Sequence, residues 1–190
     1  MIVCLAWGSL IWNPGELPVV GAWRPDGPDV RVEFVRKSRR DRLTLVLDKA
    51  TDAVPSLWAP LAVTDQDDAV RKLAAREGAK NPLPTERIGQ WPGTAPATII
   101  DLDSWAAAQG VQHVIWTDLP PRFTDPTTRQ DRDGRRPDED PAVEYLRRLV
   151  ASDGAADAEK YIRCAPQQID TPYRRRFTRE FGWTPRTSCA

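Results

Sequence analysis

Glu77 is the residue whose type and position most suggest chemistry. Residues 64–78 read as a helix. Thr64 can cap it, Asp65, Asp67 and Asp68 suit its positive end, and Gly78 closes it. On a wheel of about 100° per residue with Val70 at zero, Leu73 falls at about 300°, Ala74 at about 40° and Glu77 at about 340°. Glu77 therefore lies on the apolar face, while Arg71, Lys72 and Arg76 point elsewhere. The helix dipole opposes a negative charge in the last turn by ~0.3–1 kcal/mol. Burial also penalises the ionised form. A carboxyl placed this way can take up a proton and return it. The same pattern fits an inward acid paired with an arginine and serving structure only, and the chain has 27 basic residues to supply one.

The second feature is Trp7-Gly8-Ser9-Leu10, which ends an apolar run. Glycine lets the backbone bend and approach a ligand closely. Successive N–H groups in such a bend form a concavity for a carboxylate or an oxyanion. Alone, Gly-Ser after a strand also fits an ordinary turn. Trp7 and Trp12 flank the bend, and the other six tryptophans are spread along the chain as packing residues.

Other chemistries have little to work with. One histidine, His113, leaves little room for a metal site built on several His or for a His-dependent triad. Cys4, Cys164 and Cys189 are sparse and outside any motif. They predict a reducing compartment, no disulfide framework and an incidental Cys189. Arg36, Lys37, Arg39, Arg40 and Arg42 form a basic cluster, and Arg174–Arg176 another. Aromatic residues are not interleaved and the net charge is zero, so no nucleic-acid partner is expected. The clusters read as solvated faces, of which a subset can hold a substrate carboxylate.

The elements that must position these residues follow from the patterning. The 190 residues, 41% hydrophobic and 28% charged, suit a single domain over 1–190. Strands are predicted at 2–7, 30–36, 43–47, 57–63, 98–101 and 112–117, and helices at 64–77, 102–109, 141–151 and 155–164. A last helix opens at Thr171-Pro172, with Tyr173, Phe177 and Phe181 in one stripe. Residues 79–97 read as loop, and the polar stretch 124–140 as a flexible loop or lid. Strands early and helices late predict an α+β fold with a mixed sheet or small barrel. No run approaches the roughly 18 apolar residues of a membrane span. The N-terminal run lacks the basic start of a signal peptide. A cytoplasmic protein without a membrane partner is expected, and the sequence sets no oligomeric state.

Bend and helix end together resemble a known family. WGSLIWNPG at 7–15 is similar to the YGSLIWNPG signature of the γ-glutamyl cyclotransferase-like superfamily, in its ChaC-type branch. Arg76-Glu77-Gly78 looks like that family's "RE" helix, whose Glu is the acid/base, and Glu144-Tyr145-Leu146 like its late Tyr-Leu helix. The resemblance covers about residues 1–80 well and 141–165 loosely. It implies a small mixed β-barrel flanked by helices and release of 5-oxoproline from a γ-glutamyl amine, peptide or glutathione. By that resemblance Glu77 is the acid/base, Gly8, Ser9 and Leu10 hold the carboxylate or oxyanion, and Tyr145 lines the pocket. The small-molecule γ-glutamyl substrate needs no cofactor or metal. Trp7 departs from the family's Tyr, and an indole donates a hydrogen bond but cannot accept one. That departure and the 124–140 stretch fit an alternative, a non-catalytic binding or interaction module. A cavity joining Glu77 to the amides of 8–10 favours the enzyme, and an arginine on the carboxylate favours the module.

Overall fold

The computed structural model describes residues 1–38, 40–78, 84–187 and 189. Arg39 of the basic cluster and residues 79–83 of the expected loop lie outside it. Among the described residues the fold is α+β, with two mixed sheets and five α-helices.

The first sheet centres on β1 (Ile2–Ala6), which pairs antiparallel with β5 (Leu57–Pro60) and parallel with β7 (His113–Thr117). Strand β6 (Ile88–Trp91) completes it on the far side of β7. The second sheet is built on β2 (Asp29–Lys37). It pairs with β3 (Leu43–Leu47), β4 (Ala53–Pro55) and, in parallel, β8 (Arg122–Thr124), which in turn pairs with β9 (Asp131–Asp133).

The unbroken apolar run of β1 has a simple cause. Val3, Leu5 and Trp7 face the main core between the sheets and helices, while Ile2, Cys4 and Ala6 face a second core under α1 (Gln66–Glu77). A strand buried on both faces cannot alternate. Helices α2 (Leu102–Ala108), α3 (Glu139–Ala151), α4 (Ala156–Cys164) and α5 (Pro172–Phe181) supply the remaining cover. Thr171 caps α5 from the predicted position.

Several expectations are corrected. The sheets do not close into a barrel among the described residues. One reason lies at the edges. β9 is a three-residue, fully charged strand, which does not invite another. The outer edge of β5 is taken by Arg24, bridged to Trp58. Strand β9 also gives part of the 124–140 stretch regular structure, and β6 does so within 79–97. Residues 98–101 form no strand beyond one bridge, Ile99 to Val30. Asp65 rather than Thr64 caps α1, accepting the Asp68 amide at 2.8 Å. Asp138 caps α3, which begins at Glu139, two residues before the predicted start.

Cys164 and Cys189 form a disulfide, contrary to the expectation of unpaired thiols and an incidental Cys189. The tail returns along α4, where the Arg186 amide donates to Arg163 O (2.8 Å) and Arg163 Nε donates to Thr184 O (3.1 Å). That return brings together two cysteines whose spacing carries no motif. Cys4 remains a buried thiol. Among the described residues, no helix is long and apolar enough to cross a membrane.

Candidate functional site

Strand β1 delivers the chain into the bend at 7–10. The Gly8 carbonyl accepts from the Ile11 amide (3.1 Å) and the Ser9 carbonyl from the Asn13 amide (2.9 Å). The carbonyls thus turn back on the chain. The amides of Gly8, Ser9 and Leu10 donate to no group among the described residues. N–H groups left without a partner in such a bend can serve an anion. Gly8 is required by close approach. A Cβ there would lie 2.5 Å from the Tyr161 hydroxyl.

Helix α1 packs Ala69, Val70, Leu73 and Ala74 inward and carries Glu77 to its last turn. The Glu77 side chain is 17% exposed and lines a cavity of about 200 Å³ together with Trp7, Gly8, Ser9 and Leu10. Five of the six residues predicted for the site are therefore brought together. Arg76 corrects the wheel, because it does not point away. Its Nη1 binds Glu77 Oε1 at 2.5 Å, its Nη2 reaches Ser9 Oγ (3.2 Å), and Nε and Nη2 both donate to Asn13 O (3.1 and 2.6 Å). A wheel gives the direction of a Cβ, and a guanidinium on a long stem can fold back across it.

Tyr145 is the sixth, and it lies elsewhere. Its ring meets Phe123 edge to face, with Lys37 over it, and its hydroxyl is 3.5 Å from Asp41 Oδ1. The inward face of α3 lies away from the bend, so Tyr145 does not reach the cavity. Trp12 also misses it and packs at 5.5 Å against the ring of Tyr161.

Tyr161 is the tyrosine of the cavity, and sequence reasoning missed it. It stands on the buried stripe of α4, and its oxygen accepts the Leu45 amide (3.3 Å). Burial raises its phenol pKa, although the Leu45 amide and Arg42 oppose the shift, so the ring stays neutral. Its O–H has no acceptor among the described residues and remains a donor. A buried tyrosine on an apolar helix face needs a polar partner for its hydroxyl, which was the available signal.

Strand β2 and the turn before β3 add cations. Arg36 lines the cavity and donates to Pro120 O (2.7 Å) and Asp133 Oδ1 (3.0 Å). Arg42 lies 4.8 Å above the Tyr161 ring, and its Nε is buried without a partner among the described residues. Part of the basic cluster thus faces the cavity rather than solvent. Among the described lining residues, Arg76 is paired with Glu77 and Arg36 with Asp133, so Arg42 is the cation best placed to meet an anionic ligand. Cys4 lies behind Glu77. Burial, reinforced by that carboxylate, pushes its thiol far above the ordinary range, so it is no nucleophile.

Comparisons with family models, with curated proteins and with solved structures return no match to this chain.

The arrangement offers a carboxylate to move protons, bare amides and a phenol to receive a developing oxyanion, and guanidinium groups for a carboxylate.

Proposed function

We propose that the chain is a γ-glutamyl cyclotransferase-type enzyme that releases 5-oxoproline from a γ-glutamyl amine, peptide or glutathione. One observation carries the reading. Among the described residues, Glu77 lines one cavity together with Gly8, Ser9 and Leu10, whose amides have no backbone partner, and Arg42 stands in the same lining with its Nε unpartnered.

The reaction asks little more of a protein. Glu77, as carboxylate, takes a proton from the substrate α-ammonium. The freed nitrogen attacks the γ-carbonyl carbon, and the carbonyl electron pair moves onto oxygen, where the amides of 8–10 and the Tyr161 hydroxyl receive it. On collapse the bond to the leaving nitrogen breaks as that nitrogen takes the proton held by Glu77, and the ring nitrogen, left cationic by its attack, gives its second proton to the restored Glu77 carboxylate, which passes it to the departing amine as ammonium. The products are 5-oxoproline and an amine, and no water is consumed. Because the attack is intramolecular, much of the entropic barrier is already removed. General acid–base help supplies ~10²–10⁴-fold, and amide donation at an oxyanion about 10²–10³-fold. Arg42 is placed to hold a substrate carboxylate. Trp7 walls the cavity where the resembled family has a phenol, and this favours a less polar contact on that side.

A second reading has its own observation. Arg76 already binds the Glu77 carboxylate, as a binding module with a structural acid would have it. One experiment separates the two. The protein is incubated with γ-glutamyl amines, γ-glutamyl peptides and glutathione, and 5-oxoproline is measured by chromatography. Turnover of at least one substrate is expected. Saturable binding of a γ-glutamyl compound with no product at high enzyme concentration selects the module.

A further inference from the structure

The side chain of Arg76 is only 10% exposed, and its contacts are unevenly divided. One N–H group meets Glu77. The other three contacts go to the bend, at Ser9 Oγ and twice at Asn13 O. A cation that served only to neutralise Glu77 would need the first contact alone and would leave the rest of its fork to water. The guanidinium is planar and rigid, so acceptors bound along its edges are held in one plane and at fixed separations. These acceptors belong to different pieces of the fold. Glu77 ends α1, whereas Ser9 and Asn13 follow β1. The two carbonyls of the bend, Gly8 O and Ser9 O, are tied internally to Ile11 and Asn13. The bend is therefore a rigid unit that one guanidinium can hold at a set distance from the end of the helix.

We infer that Arg76 is a positioning residue, a clasp that fixes the 8–13 bend against the Glu77 carboxylate and so sets the distance between proton carrier and oxyanion donors. Its consequence for turnover rests on the cyclotransferase reading, but the clasp itself does not. The contact that favoured a structural acid thereby acquires a role in the reaction. Lysine would keep the charge and lose the fork, and glutamine would lose both.

The test uses the full chain with Arg76→Lys and Arg76→Gln. Amide hydrogen exchange is followed at Ile11 and Asn13, with Val3 and Cys4 of β1 as internal controls. Protection at Ile11 and Asn13 is expected to fall about tenfold or more in both variants, with β1 unchanged, because a charge-assisted fork is lost. On a substrate that the wild type turns over, kcat is expected to fall about 10²-fold, the scale of a small misplacement of reacting groups, with KM nearly constant. Lysine is expected to rescue little of that loss. Unchanged exchange at Ile11 and Asn13 in Arg76→Gln overturns the clasp. So does a uniform loss of protection that includes β1, which would mark general destabilisation, and so does a kcat retained by either variant. If the wild type makes no 5-oxoproline while the bend still loosens selectively, the clasp stands and the proposed reaction falls.

Discussion

Two of the carboxylates that point inward, Glu33 and Glu77, are satisfied in opposite ways. Glu33 on β2 is completely buried. Its Oε1 accepts from the Phe34 amide (2.8 Å) and the Thr171 hydroxyl (2.6 Å), and its Oε2 from the Tyr173 amide (3.1 Å) at the start of α5. Burial pushes its pKa up to about 7 against the pull of those three bonds, with Asp48 adding to the rise. Glu77 has one guanidinium and an open cavity. The burial of Glu33 is matched by three donors that hold its carboxyl in place. The difference lies in what is left unfilled. At Glu33 the protein completes its own hydrogen bonds, as a structural acid requires. Around Glu77, among the described residues, the amides of the bend, the Tyr161 hydroxyl hydrogen and the Arg42 Nε have no hydrogen-bond partner, which is the condition for receiving a substrate.

The largest expected effect tests the Glu77 half of that contrast. Glu77→Gln keeps the shape and an acceptor for Arg76 but removes the proton carrier. Release of 5-oxoproline is expected to fall by ~10²–10⁴-fold. Unfolding free energy is expected to fall by about 1–3 kcal/mol, because the largely buried Arg76 keeps a hydrogen-bond acceptor but loses its counter-charge. Near-wild-type turnover in this variant would remove Glu77 from the chemistry.

The contrast also separates what the sequence could disclose from what it could not. The bend and Glu77 were legible because each depends on local pattern, a glycine after an apolar run and a position on one helix face. The start of α5 was legible for the same reason, since Thr171-Pro172 combines a cap with a residue suited to the first turn. Arg76 was misread because angular position does not report how far a long side chain reaches. Tyr161 and Tyr145 are both inward tyrosines on late helices, and only the packing of α4 against β3 puts Tyr161 beside Gly8. Strand β6 was hidden by Gly89, which reads as a turn former. In the sheet it faces Trp116 across the ladder, where a Cβ would sit 2.0 Å from the indole. The disulfide depends on the return of the chain tail, which leaves no trace in spacing.

The next effect tests the Glu33 half. A folded-state pKa of about 7, above the ordinary 4.5, means that the folded protein holds this proton more tightly than the unfolded chain. The stabilising contribution is therefore fully present below about pH 4.5 and is lost as pH rises through about 7. From the size of the shift it amounts to roughly 3 kcal/mol. In Glu33→Gln that pH-dependent part is absent, so the difference between the two proteins in denaturant-measured stability should narrow as pH climbs from 4.5 to 7.5. The folded variant should still release 5-oxoproline. A constant difference across that range would mean that Glu33 titrates as an ordinary acid. Loss of turnover by folded protein would blur the line between the two carboxylates.

The smallest effect asks how tightly the open region is built. Gly8→Ala places a methyl group 2.5 Å from the Tyr161 hydroxyl but 3.5 Å from the Cζ that bears it. The ring cannot easily retreat, because Trp12 and Phe34 meet it edge to face and the Leu45 amide binds its oxygen. Overpacking of this kind costs ~1–3 kcal/mol. In a Tyr161→Phe background the offending atom is gone and the remaining contact is ordinary, so the same alanine should cost much less. A double-mutant cycle on thermal or denaturant stability therefore predicts strong coupling between positions 8 and 161. Additive costs would mean that the glycine serves the backbone of the bend alone and that the tyrosine merely lies nearby. Coupling would tie the bend to α4 and make Tyr161 a wall of the same cavity that Glu77 faces.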